Sequence, residues 1–120
     1  MIYPRTLKSE WYKADVYDTI NASLEGTKQW TKYYYENKCE RDAYVATFER
    51  CQSIVKYCDL YPEHALKALS DLHTQLSEEP QWEPYFSKAR WLYKPNEARI
   101  KAVTIAFELV DGISRRYLEP

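Results

Sequence analysis

The stretch YVATFERCQSIVKYC, residues 44–58, decides the fold class. Within it Tyr44, Phe48, Cys51, Val55 and Cys58 recur at steps of four, three, four and three, placing all five on one side of a helix. A half-buried strand would alternate every second residue, and this segment does not. It is expected to coil with one oily flank. Pro62 closes the segment and suits the first position of a following helix, where the missing N–H has no intrahelical acceptor anyway. Leu66, Leu69, Leu72 and Leu76 again fall on one side, so the two helices are expected to pack as an antiparallel hairpin.

Working outward toward the C terminus, Pro80 and Pro84 punctuate a connection that holds Trp82. Tyr85, Phe86, Ala89 and Leu92 suggest a short helix ended by Pro95. Asn96 is a good N-cap for a final helix, in which Ile100, Val103, Phe107, Val110 and Tyr117 form one stripe and Ile105, Leu109 and Ile113 widen it. Its polar residues Lys101, Thr104, Glu108, Asp111 and Arg115 leave only a narrow strip for water, so this helix is expected to be central.

Toward the N terminus, Ser9 is expected to cap a first helix running to about Leu24, with Val16, Ile20 and Leu24 inward, until Gly26 stops it. A short second helix is expected from Thr27 to about Asn37, carrying Trp30, Tyr33, Tyr34 and Tyr35. Three consecutive tyrosines cannot all point inward at 3.6 residues per turn. At least one must face solvent or a partner. The expected fold class is all-α: a compact bundle of five or six short-to-medium helices, with residues 1–120 forming a single helical domain.

Composition narrows the function classes. Hydrophobic residues at 45%, charged residues at 29% and a net charge of -1 argue against disorder and against a strongly basic nucleic-acid protein. Only 2 glycines are present, too few for a turn-rich sandwich or a phosphate-cradling loop. No signal-like start and no run near ~20 apolar residues appears, so a cytoplasmic protein outside the membrane is expected. Cys51 and Cys58 would sit about 10 Å apart along a helix, beyond disulfide reach, which fits reduced thiols.

No catalytic, metal or cofactor site is expected. Cys39, Cys51, Cys58, His64 and His73 match no metal-binding spacing, and cysteines on an apolar stripe ordinarily serve as small hydrophobes. The carboxylates Glu36, Glu40 and Asp42, and Glu78, Glu79 and Glu83, have no catalytic spacing. A helix-turn-helix reading around Gly26 fails because the second helix offers Trp30 and tyrosines where Arg, Asn or Gln would read base edges.

Two surfaces remain. With 12 Tyr and 4 Trp, the aromatic load exceeds what a core of this size needs, and such side chains dominate binding hot spots. The expected function is therefore a non-enzymatic protein-interaction module, of inhibitor, immunity-type or accessory character, holding one protein partner. Its contact residues are expected to be Trp30, Tyr33, Tyr34 and Tyr35, with Arg90, Trp91, Tyr93 and Lys94 as a second surface. The alternative is nucleic-acid binding by residues 88–101, where Lys88, Arg90, Lys94, Arg99 and Lys101 alternate with Trp91 and Tyr93. A homodimer would also suit short helices with surplus apolar faces.

Overall fold

A computed structural model describes residues 16–58, 62–78, 83–84, 92–93 and 95–118. Four α-helices dominate these residues: α1 Val16–Thr31, α2 Lys38–Tyr57, α3 Pro62–Ser77 and α4 Pro95–Leu118, with a single 3-10 turn at Lys32–Tyr34 between α1 and α2. The all-α class holds, with four helices rather than five or six among the described residues. Two causes account for the difference.

First, Gly26 does not stop α1. The inward line Val16, Ile20, Leu24 continues past it to Lys28 and Thr31, all buried. A glycine inside a helix costs about 1 kcal/mol, less than the tertiary packing on either side supplies. The expected helix from Thr27 to Asn37 is thus the end of α1 plus the 3-10 turn. Asn37 starts the next helix, its Oδ1 accepting from the Glu40 backbone N–H at 3.0 Å. The expected cap at Ser9 lies outside the described residues.

Second, Leu92 is not helical. Leu92–Tyr93 (β2) pairs antiparallel with Glu83–Pro84 (β1), Glu83 opposite Tyr93 and Pro84 opposite Leu92. Pro95 forces the residue before it toward extended backbone, which disfavours a helix running up to it. The rest of the expected short helix, residues 85–91, lies outside the described residues.

Side-chain bonds give the helix directions. Tyr17 Oη reaches the Lys56 carbonyl, Gln52 reaches Glu25, and Tyr44 reaches Thr31, so α1 and α2 run antiparallel. Thr47 and Arg50 of α2 line the same depression as Leu76 of α3, which makes those two antiparallel as expected. α4 packs most extensively on α2, then on α3 and α1, whereas α1 and α3 share no substantial interface. The centre is therefore the α2–α4 pair, flanked by the other two.

One cluster of buried side chains joins all four helices. Tyr44, Phe48, Cys51 and Val55 are fully buried, and Cys58 ends α2, half-buried, with its N–H on the Ile54 and Val55 carbonyls. In α3, Leu66, Leu69, Leu72 and Leu76 are all buried, with Pro62 at the first position. On α4 the deepest line includes Ala98, Ala102 and Ala106 beside Val103, Val110 and Ile113, while Ile100, Ile105, Phe107 and Leu109 lie at its margins. Alanines one turn apart suit a central helix, because small side chains let neighbouring helices approach closely.

Asn96 does not cap α4 as expected. Pro95 takes the first helical position, and Asn96 is buried in the first turn, its Nδ2 donating to the Leu76 carbonyl at 2.6 Å. It satisfies the C-terminal end of α3 instead.

Candidate functional site

The corner where α1 meets α2 brings together most of the expected contact residues. Its inner side is fully bonded. Tyr44 donates its hydroxyl to Thr31 Oγ1, which in turn donates to the Thr27 carbonyl at 2.7 Å. Burial pushes the Tyr44 phenol up to about 12, outweighing the opposite effect of the Thr31 bond. Arg41 clamps the turn from α2: its Nε donates to the Tyr35 carbonyl at 3.0 Å and its Nη2 to the Glu36 carbonyl at 3.1 Å.

This clamp sorts the three tyrosines. Tyr35 turns inward, half-buried, its ring 5.3 Å from that of Tyr44, which lies 5.7 Å from Phe48. Tyr35 thus belongs to the rim of the core. Tyr33 and Tyr34 point outward with Trp30, and the three side chains are 68%, 58% and 56% exposed respectively. Trp30 and Tyr34 meet edge to face, centroids 5.5 Å apart with planes at 82°. That geometry is favourable for an aromatic pair and limits the freedom of both rings before any contact is made. The Lys32 ammonium lies 5.2 Å from the Tyr33 ring centroid.

Next to these rings is a depression of about 450 Å³ lined by Lys32, Tyr33, Arg41, Asp42, Val45 and Glu49, among others. Arg41 and Val45 escape a reading of the sequence because they join the face only once α1 is laid beside α2. Tyr57, 89% exposed, belongs elsewhere: it ends α2, roughly 30 Å along the helix from its first turn.

A polar lattice braces the two helices behind the rings. Lys28 Nζ lies 3.0 Å from Glu25 and 3.2 Å from Glu49, Gln52 donates to Glu25 at 3.0 Å, and Gln29 donates to it at 2.6 Å. Hydrogen bonds from Gln52, Gln29 and Lys28 hold the Glu25 carboxyl down at about 2. Burial alone would lower the Lys28 pKa, but its bonds to Glu25 and Glu49 outweigh it and raise the value. By sequence Lys28 reads as part of a basic patch. In the fold it is buried and neutralised, hence withdrawn from any phosphate.

The chain matches no protein-family model, no curated protein and no solved structure. The geometry of the face is what bears on function.

Of the second expected surface, Arg90, Trp91 and Lys94 lie outside the described residues, as does Lys88, and Tyr93 is placed only as backbone of β2. Arg99 is half-buried with its Nη1 3.4 Å from Asn96 Oδ1, and Lys101 is exposed. Elsewhere the chemistry is quiet. Burial pushes the Cys51 thiol up to about 12, which keeps it protonated and unreactive at neutral pH. Cys39 is exposed, and none of the three cysteines is paired. Among the described residues no group of three or more His, Cys, Asp or Glu could hold a metal ion, and no helix is long and apolar enough to cross a membrane.

Proposed function

We propose that this chain is a non-enzymatic interaction module, of the inhibitor, immunity or accessory kind, that holds one protein partner through the Trp30, Tyr33 and Tyr34 face. One observation carries the reading. Three large aromatic side chains are left mostly exposed on one corner, although the hydrophobic core is complete without them. Large aromatics beside a mixed-charge rim are the composition of binding hot spots. The bonded inner side adds weight, since a face held in place before binding loses little entropy on contact. Its unpaired thiols accord with a reducing, cytoplasmic setting.

The test uses the tagged full chain, its Trp30→Ala/Tyr34→Ala variant and a Tyr57→Ala control, each applied to extract of the native host. The reading expects one protein retained in near-equal molar amount by the parent and the control and lost from the double variant. Retention by all three would remove this face from consideration.

A further inference from the structure

The depression beside Tyr33 contains four charged side chains, and their pairing is unequal. Asp42 is neutralised by Lys38 at 2.6 Å, and Glu49 by Lys28 at 3.2 Å. Lys32 and Arg41 have no carboxylate partner among the described residues. Lys32 donates to the neutral Gln29 Oε1, and Arg41 donates to two backbone carbonyls. Each retains N–H donors beyond those it uses. The depression therefore holds two uncompensated positive charges over a floor of Tyr33, half-buried Val45 and Ala46.

Resting on the interaction reading above, we propose that this depression receives an acidic segment of the protein partner. A carboxylate bonds Lys32 and Arg41 there, and an adjacent apolar side chain lies on Tyr33 and Val45. An aliphatic or aromatic residue close to Asp or Glu satisfies both halves of the site. A nucleic-acid strand fits less well: Asp42 and Glu49 stand in the same walls, Glu36 is exposed nearby, and the chain's net charge is -1. A repeating phosphate backbone gains from continuous positive surface, whereas a single carboxylate needs only one pair of donors.

The experiment selects binders to the full chain from a random-peptide display library, with Lys32→Glu and Trp30→Ala/Tyr34→Ala variants alongside. Lys32→Glu leaves both carbonyl bonds of Arg41 in place, and circular dichroism checks that each variant is folded. The expected result is enrichment of peptides with Asp or Glu close to an apolar residue. Binding to Lys32→Glu should weaken at least about tenfold, the loss of one charge-assisted hydrogen bond. Amide resonances of Lys32, Tyr33 and Val45 should shift on titration. Peptides that need Trp30 and Tyr34, show no acidic bias and tolerate Lys32→Glu would overturn the acidic-segment assignment while leaving the aromatic face as a binding site. Failure to enrich any peptide sensitive to either variant would overturn both. A single-stranded oligonucleotide shifting the same amides more tightly than the peptides would overturn the assignment in favour of nucleic acid.

Discussion

The buried bond from Tyr44 to Thr31 offers a sharp test of how the corner is built. Thr31→Val keeps the side-chain shape but removes the acceptor of the Tyr44 hydroxyl and the donor to the Thr27 carbonyl. Tyr44 is fully buried, so its hydroxyl is left without a partner, at a cost of about 1–3 kcal/mol. Tyr44→Phe removes the hydroxyl altogether and leaves Thr31 still bonded to Thr27, so its cost is about 0.5–1.5 kcal/mol. With Tyr44→Phe already in place, Thr31→Val no longer strands a hydroxyl and should cost less than it does alone. Urea unfolding followed by circular dichroism on the parent, both singles and the double variant gives the coupling energy, expected near 1 kcal/mol. Additive single costs, or a neutral Thr31→Val, would refute the claim that this bond seats the turn.

Gly26 is exposed inside α1 with nothing within 4 Å of an added methyl group, so Gly26→Ala should raise stability by about 0.5–1 kcal/mol, read as a higher melting temperature. Glu25 has a folded-state pKa held at about 2, below its ordinary 4.5. Its contribution is therefore present above that ordinary value and lost as pH falls from about 4.5 toward 2. Because Glu25 is half exposed, screening keeps the effect small, and Glu25→Gln should flatten the stability profile in that window only. Under native conditions a thiol reagent should label Cys39 quickly and Cys51 only at the rate of unfolding; equal rates would contradict the burial of Cys51.

Much of this architecture is legible in the residues themselves. The stripes of α2 and α3 are local facts of spacing, and local spacing survived folding unchanged. The breadth of apolar residues in α4 likewise marked it as central. What failed were boundaries set by tertiary packing. Gly26 reads as a stop, yet Leu24, Lys28 and Thr31 bury on both sides of it and carry the helix through. Asn37 with Glu40 is a start signal that spacing contains, overlooked because the run of tyrosines reads as a helix of its own. The sorting of Tyr33, Tyr34 and Tyr35 could not be read, since a 3-10 turn replaces the helical angle at those residues. Lys28 reads as a free cation because its partner Glu49 lies 21 residues further on, across the helix pair.

The claim on which the account rests is that the outward rings of Trp30 and Tyr34 serve binding and not folding. Equilibrium unfolding and partner affinity of Trp30→Ala/Tyr34→Ala, measured side by side, test it most directly. The account predicts a stability loss of no more than about 1.5 kcal/mol, the worth of one edge-to-face pair, together with an affinity loss of about a hundredfold or more. A variant that unfolds, or one that binds its partner as tightly as the parent, would contradict it.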